Sequence, residues 1–357
     1  MTLRRFTAAV AHAAPVWLDP AATAEKAASL IGEAAHHGAA LVAFPESFLP
    51  GFPLWAALHA PIRTHEAFAA FATASVIADG SEVARVRQAA ARHGVFVSFG
   101  FSERNPSCVG GLWNSNLLIG DDGAVLVHHR KLVPTFFEKL AWNGGDGDGL
   151  RVADTRIGRL GALICGENTN PLARYALIAQ GEQVHVASYP PAWPTRPPSA
   201  VGEQCGNYDN RAANRIRAAA HAFEGKCFVA VAAGWLDRTA LDALAAGDPS
   251  VTAVLAATPR AESFFVDPTG AVIGDTLTEE GLGYAEFDLA RSVEPKRFHD
   301  VAAGYNRFDV FDLSVRRERL APIRFRDVAV PSVPSQEEAG NLESARRAPL
   351  LRLAAEG

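Results

Sequence analysis

Three side chains that could do chemistry each stand where an apolar run ends. Cys165 follows the run Gly161-Ala162-Leu163-Ile164, and Pro171 is placed to open a helix shortly afterwards. We therefore expect Cys165 at the end of a buried strand, where open α/β sheets carry their chemistry. A thiol there becomes a nucleophile if a base takes its proton. This stretch alone, however, fits a small core residue better than a nucleophile.

Glu46 leaves an apolar run at residues 39–44 in the same way. A carboxylate held against an apolar strand has a raised pKa and suits a general base, although a glutamate that caps a loop fits this segment equally well. Lys131 follows a predicted strand at residues 124–129, and Glu138 comes seven positions later. A desolvated lysine beside carboxylates supplies fixed positive charge to a developing anion, whereas the usual alternative is a solvated surface lysine.

The elements around these residues read as an α/β fold. Strands are predicted at residues 6–12, 39–44, 95–101, 184–188 and 228–233, with helices between several of them. Turns rich in glycine predict hairpins over residues 112–129 and 263–273. The stiff aromatic loop from Tyr189 to Pro194 is a candidate pocket wall, and a proline-rich surface turn fits it nearly as well. Residues 236–261 read as an insertion, and the chain after Val315 reads as an arm that binds a partner, with an amphipathic stretch at residues 348–355.

Composition narrows the function further. The net charge of −5 and the pI near 6.1 argue against a protein that binds nucleic acid or anionic lipid. No run of apolar residues is long enough to span a membrane. The four cysteines form no C-x-x-C pair, so we expect a reduced, cytoplasmic setting and no metal site. Adjacent histidines such as His128 and His129 point to opposite faces of a strand, which disfavours chelation.

The chain resembles the nitrilase family of carbon–nitrogen hydrolases over about residues 5–312. The resemblance is carried by three motifs in family order: Phe44-Pro45-Glu46 with Gly51-Phe52-Pro53, Arg130-Lys131-Leu132-Val133-Pro134-Thr135 with Glu138, and Cys165-Gly166-Glu167-Asn168 with Asn170-Pro171-Leu172-Ala173-Arg174. The long chain, residues 170–177 and Ala179-Gln180-Gly181-Glu182 point to the true-nitrilase branch. The resemblance implies an α/β fold of the four-layer α-β-β-α sandwich type, a catalytic domain at residues 1–312 and a tail at residues 313–357 that makes oligomer contacts. It also implies dimers that extend into spirals or filaments.

The resemblance also implies the roles of the site residues. Cys165 would attack a nitrile carbon, Glu46 would take the thiol proton, and Lys131 with the backbone N–H of Gly166 would stabilise negative charge. Glu138 would orient Lys131 or the attacking water. No metal or organic cofactor is implied, and the partners are a small nitrile and further copies of the chain. Phe52, Tyr189 and Trp193 are the expected substrate-binding side chains.

Departures from the family pattern concern the substrate. Gly166 stands where the family usually has Trp, which is expected to open space beside the nucleophile. Phe52 replaces Tyr, and Gly304-Tyr305-Asn306 replaces the usual Gly-His-Tyr. Release of an amide from a nitrile or cyanide, or an amidase activity, uses the same residues and stays open. An inactive filament-forming scaffold and a papain-like Cys–His hydrolase fit the motifs less well.

Overall fold

Residues 3–196 and 209–320 are described by this computed structural model, and within them the backbone forms two six-stranded mixed sheets. The strands of this part of the chain are β1 Arg5–His12, β2 Ala39–Ala43, β3 Phe96–Asn105, β4 Cys108–Ile119, β5 Val125–Arg130, β6 Ala153–Thr155, β7 Gly158–Ile164, β8 Val184–Tyr189, β9 Phe228–Ala233, β10 Ser263–Val266, β11 Val272–Leu277 and β12 Gly281–Asp288. The first sheet has the order β12-β1-β2-β3-β4-β5, and the second has the order β11-β10-β9-β8-β7-β6. Strands β1, β2 and β3 are mutually parallel, as are β7, β8 and β9, and antiparallel strands flank each set.

Helices connect the parallel strands and cover the sheets. In the described residues they are α1 Pro20–His36, α2 Trp55–Leu58, α3 His65–Ala74, α4 Ser81–His93, α5 Pro171–Ile178, α6 Asn210–Gly225, α7 Arg238–Ala245, α8 Pro249–Ala257 and α9 Val293–His299. Side-chain caps define several of their starts, because a carboxylate or amide oxygen accepts an otherwise unbonded backbone N–H. Asp19 does this at α1 and Asn170 at α5. The predicted insertion at residues 236–261 contains α7 and α8.

Alternation of side chains along the strands builds two separate interiors. In β1, Ala8 and Val10 pack between the sheets, whereas Ala9 and Ala11 pack toward α1 and α4. Phe287 lies between the sheets, in the same cluster as Ala8 and Val10. A residue on one face of a strand therefore belongs to the sheet–sheet layer, and its neighbour belongs to the sheet–helix layer.

The second sheet repeats this arrangement on its own outer side. Ala218 and Ala222 of α6 pack on Val229 and Val231 of β9. Helices α1 and α4 thus cover one sheet and α6 covers the other, so the layers run helix, sheet, sheet, helix. The predicted four-layer α-β-β-α sandwich is confirmed.

The end of the described chain returns to the first half of the sequence. Strand β12 pairs antiparallel with β1 and completes the first sheet. Val315 packs against the buried cluster that contains Leu163, and Arg319 donates to Asp148 Oδ2 at 2.9 Å. Residues 321–357, most of the predicted tail, lie outside the described residues, as does Cys205, and the division at residues 312 and 313 stays a prediction. No helix in the described ranges has both the length and the apolar character needed to cross a membrane.

Candidate active site

The ends of three strands bring Glu46, Lys131 and Cys165 together. Lys131 follows β5 directly, Glu46 follows β2 after two residues, and Cys165 follows β7 directly. Strands β2 and β5 belong to the first sheet and β7 to the second, so the site lies where the two sheets meet. One carboxylate oxygen of Glu46, one of Glu138 and the Sγ atom of Cys165 all lie within 4.8 Å of one another.

Two buried carboxylates hold the ammonium group of Lys131 away from solvent. Its Nζ donates to Glu46 Oε1 at 2.7 Å and to Glu138 Oε1 and Oε2 at 2.8 and 2.6 Å, and all three side chains are fully buried. Burial alone would lower the pKa of Lys131, but the nearby Cys165 and the two glutamates raise it well above its ordinary value. The ammonium is therefore a permanent positive charge beside the thiol.

Glu46 has one oxygen that is engaged and one that is not. Oε1 accepts from Lys131 and from Asn114 Nδ2 at 2.7 Å. Oε2 is buried, and among the described residues no group donates to it. Burial raises the pKa of Glu46 to about 7, against the opposing effect of Lys131. The free oxygen is thus poised to accept a proton near neutral pH.

Cys165 occupies the first position of a short 3-10 helix, Cys165–Thr169. Its backbone has a positive φ of 50°, which residues other than glycine rarely adopt. Burial and the charge of Glu46 raise the pKa of its thiol well above the ordinary value, and Lys131 opposes them. The resting group is therefore a protonated thiol that needs a base.

Glu167 ties the segment of the lysine to the segment of the cysteine. Its Oε1 accepts from the backbone N–H of Leu132 at 2.5 Å, and its Oε2 accepts from that of Ile164 at 2.9 Å and from His129 Nε2 at 2.8 Å. Burial would raise the pKa of Glu167, but His129 and the two backbone groups hold it below its ordinary value. An ionised carboxylate therefore fixes the residues that adjoin both Lys131 and Cys165.

Aromatic rings form a wall in the cluster that contains Phe52. The ring centroids of Phe137 and Trp193 lie 4.4 Å apart, and those of Phe52 and Trp193 lie 6.2 Å apart. Tyr189 is placed differently, because it is fully buried in the cluster that includes Cys165. The structure thus brings two of the three predicted substrate-binding side chains together and places Tyr189 in a separate layer.

Gly166 differs from the sequence-based expectation. A Cβ at this position would lie 2.9 Å from Oγ1 of Thr135, which is closer than such atoms normally approach. The prediction that Gly166 opens space beside the nucleophile is therefore wrong for the position that a Cβ would take, because the side chain of Thr135 occupies that space.

Two groups of three potential metal ligands occur in the described ranges, namely Glu46 with Glu138 and Cys165, and Glu182 with His185 and His221. In the first group the ammonium of Lys131 already bonds both carboxylates. In the second group the two imidazoles bond the same carboxylate at 2.8 and 2.7 Å. Hydrogen bonds thus engage the carboxylates of both groups.

Sequence reasoning missed Asn114 and Glu167. Asn114 lies in a strand where three consecutive polar residues interrupt an apolar pattern, and that interruption is a signal of buried polar contacts. Glu167 stands two positions after the candidate nucleophile, where a buried carboxylate needs several donors. Neither signal identifies the partner, which the packing of the two sheets supplies.

The chain is similar to known proteins over most of its length. The sequence pattern described as carbon-nitrogen hydrolase matches residues 7–297. The chain is 37% identical over 314 residues to the bromoxynil-specific nitrilase of Klebsiella pneumoniae subsp. ozaenae, covering 88% of this chain and 86% of that protein. It is 35% identical over 320 residues to the arylacetonitrilase of Hypocrea virens, covering 88% of this chain and 93% of that protein. The solved carbon-nitrogen hydrolase of Helicobacter pylori G27 has a TM-score of 0.65 at 19% identity, covering 82% of this chain and 93% of that one.

Proposed function

This chain belongs to the carbon–nitrogen hydrolase family, and on that premise we propose that it hydrolyses small organic nitriles to the carboxylic acid and ammonia. The observation that carries the proposal is the buried Oε2 of Glu46, to which no group in the described part of the chain donates, beside a buried thiol and a charged lysine. A base, a nucleophile and a fixed cation are the groups that addition to a carbon–nitrogen multiple bond requires. The nitrilase names of the relatives support the same reaction.

In the first half of the reaction, Glu46 Oε2 takes the proton of Cys165 and the sulfur attacks the nitrile carbon. A carbon–sulfur bond forms, one carbon–nitrogen bond opens, and its electron pair moves to nitrogen. Glu46 returns its proton to that nitrogen, which gives a thioimidate. Lys131 and the backbone N–H of Gly166 stabilise the negative charge that develops.

In the second half, Glu46 takes a proton from water as the water adds to the thioimidate carbon. Glu46 returns that proton to nitrogen, which gives a tetrahedral intermediate with a hydroxyl and an amino group. The hydroxyl proton then passes to nitrogen, the carbon–nitrogen bond breaks to release ammonia, and a thioester remains. A second water molecule then releases the carboxylic acid and restores the thiol. Glu138 keeps Lys131 in place throughout, because both of its oxygens bond the ammonium and Oε2 also accepts from Thr135 N at 2.8 Å.

The substrate is an aliphatic or arylaliphatic nitrile, with its side chain against the rings of Phe52 and Trp193 and with Tyr189 behind the nucleophile. The packed aromatic wall supports this class, since a flat apolar group gains free energy when it leaves water and packs on such rings. The name of the Hypocrea virens relative, an arylacetonitrilase, supports the arylaliphatic branch.

We propose that the protein acts in the cytoplasm as a homo-oligomer, a dimer that can extend into a spiral or filament. Cys108, Cys165 and Cys227 are free thiols, which suits a reducing compartment. Leu172 of α5 and Ile216 of α6 expose 61% and 70% of their surface, which favours contact with another copy. Sedimentation with and without residues 313–357 tests the assembly and the role of the tail.

The test of the reaction is incubation with aliphatic, arylaliphatic and aromatic nitriles and with cyanide, measuring ammonia, acid and amide together. Cys165→Ala is the control. Ammonia and acid that vanish in the variant support the proposal, whereas amide alone means that the tetrahedral intermediate expels the thiol. Activity only on amides makes the chain an amidase, and silence on both classes favours the inactive scaffold.

A further inference from the structure

A chain of buried hydrogen bonds reaches the nucleophile from the interior of the second sheet. Glu182 Oε1 bonds His185 Nδ1 at 2.8 Å, and His185 Nε2 bonds Asn168 Oδ1 at 2.9 Å. Asn168 Nδ2 then donates to the backbone carbonyls of Leu163 at 3.2 Å and Cys165 at 3.1 Å. The three polar side chains are at most 2% exposed, and none of them takes part in the proposed chemistry.

The partners fix where the protons lie. The two carbonyls that Asn168 Nδ2 contacts can only accept, so its Oδ1 must face His185 and the Nε2 of His185 must carry a proton. Burial would raise the pKa of Glu182, but the two histidines hold it at about 2, so the carboxylate is ionised and Nδ1 of His185 also donates. Burial lowers the pKa of His221 to about 4, so this ring is neutral and donates its Nε2 proton to Glu182 Oε2 at 2.7 Å.

We propose that His185 is a positioning residue for the nucleophile: through Asn168 it fixes the carbonyl of Cys165 and keeps this residue in the backbone conformation that places its thiol beside Glu46. The proposal rests on the assignment of Cys165 as the nucleophile made above. His185 is well placed for this role because β8 is the parallel neighbour of β7, and its backbone pairs with that of Gly161.

The physical reason lies in the φ of 50° at Cys165. A residue with a Cβ adopts this backbone conformation only when its surroundings impose it. Glu167 holds the N–H of Ile164 on one side, and Asn168 holds the carbonyl of Cys165 on the other. Without the N–H of His185, Oδ1 of Asn168 is a buried acceptor without a donor, and the amide gains by rotating away from the two carbonyls.

His221 provides a matched control. Both imidazoles are fully buried, their centroids lie 3.8 Å apart, and both bond the carboxylate of Glu182. Only His185 also contacts Asn168. His185→Phe and His221→Phe each remove one buried hydrogen bond from Glu182. The ring of His185 donates from both nitrogens and that of His221 from one, so the bond lost in His185→Phe is the stronger, and only this variant removes the support of the Cys165 turn.

The experiment measures alkylation of Cys165 by iodoacetamide, followed by peptide mass spectrometry, together with kcat, KM and the thermal midpoint. We expect His185→Phe to slow alkylation and to lower kcat roughly 10- to 100-fold, as for a reacting group displaced by about 1 Å, with KM nearly unchanged. His221→Phe should lower the thermal midpoint by a smaller amount and leave both rates nearly unchanged. Equal loss of rate in the two variants overturns the proposal.

A conservative variant gives the second arm. In Glu182→Gln, the amide N–H can donate to Nδ1 of a neutral His185 and the amide oxygen can accept from His221, so Nε2 of His185 still donates to Asn168. This variant should keep an alkylation rate close to that of the parent, and a loss as large as in His185→Phe contradicts the proposal.

If His185→Phe does not fold, Asn168→Asp replaces the donor to the Cys165 carbonyl by an oxygen of the same shape. It should slow alkylation to a similar degree, and an unchanged rate overturns the proposal. Alkylation needs no nitrile turnover, so a failure of the proposed reaction leaves this test intact.

Discussion

Glu46→Gln should separate the ionisation of the nucleophile from the transfer of its proton. In the parent, Oε1 of Glu46 accepts from both Lys131 and Asn114. The glutamine must therefore keep its oxygen at that position and present its NH₂ group where the free Oε2 was. The variant loses the base and one negative charge, while the shape of the site is unchanged.

The size of both effects follows from the geometry. A carboxylate oxygen of Glu46 lies within 4.8 Å of the sulfur. At an effective dielectric constant of ~20, a negative charge at that distance opposes a thiolate by about 3 kcal/mol. Its removal favours the thiolate roughly a hundredfold, at about 1.4 kcal/mol per factor of ten. Loss of a general base, in contrast, lowers kcat/KM by roughly 10²- to 10⁴-fold.

The assay is the rate of Cys165 alkylation as a function of pH, beside nitrile hydrolysis. Burial raises the pKa of Glu46 to about 7, so below that pH the carboxyl group holds its own proton and cannot take that of the thiol. We expect the parent rates to rise up to about pH 7 and then to level off. In Glu46→Gln, alkylation should continue to rise about tenfold per pH unit above that point, because each thiolate then forms by loss of a proton to solvent.

Glu138→Gln is the matched control, since it removes one buried charge from the same cluster and leaves the base. The charge of Glu138 raises the pKa of Glu46, so the plateau should persist and begin at a lower pH. A Glu46→Gln profile that levels off like that of the parent, or full nitrile hydrolysis by this variant, refutes Glu46 as the base.

Three further changes test other parts of the structure. In Glu167→Gln, the new NH₂ group faces an N–H group that donates to the carboxylate in the parent. The free energy of unfolding in urea should therefore fall by about 2–4 kcal/mol, and kcat should fall with it. Phe287→Ala removes a fully buried ring between the sheets and should cost about 3–5 kcal/mol in urea unfolding without changing KM. Burial would raise the pKa of Glu103, but His128 and Arg130 lower it to about 2 from its ordinary 4.5. The ionised Glu103 therefore contributes to the free energy of unfolding above about pH 4.5, and this contribution is lost as the pH falls toward 2. Glu103→Gln should flatten the unfolding free energy over that range.

The sequence was sufficient to place the reactive groups at strand ends. Glu46, Lys131 and Cys165 each follow an apolar run, and the carboxyl ends of strands are where an α/β fold carries its reactive groups. That these three ends come from two sheets was not predicted. The family motifs added the order and the fold. The assignment of catalytic roles to these three residues stays a prediction until the variants are measured.

Directions of side chains were beyond the reach of the sequence. Tyr189 also ends a strand, yet it packs in the layer of Cys165 away from Phe52 and Trp193. The partner of Asn114 depends on how the segment after β2 crosses the neighbouring strand β3 to reach β4, which no local pattern encodes. Gly166 suggested open space, but Thr135, from a distant segment, fills it.

The contribution of both sheets to the site has a consequence for the protein during its synthesis. Glu46 and Lys131 leave the ribosome before Cys165, but the first sheet gains its edge strand only when Asp288 has emerged. Until the two sheets dock, the sulfur of Cys165 has no buried carboxylate beside it and reacts as an ordinary cysteine. The nucleophile therefore acquires its base only in the completed fold, after the last strand of the first sheet has been synthesised.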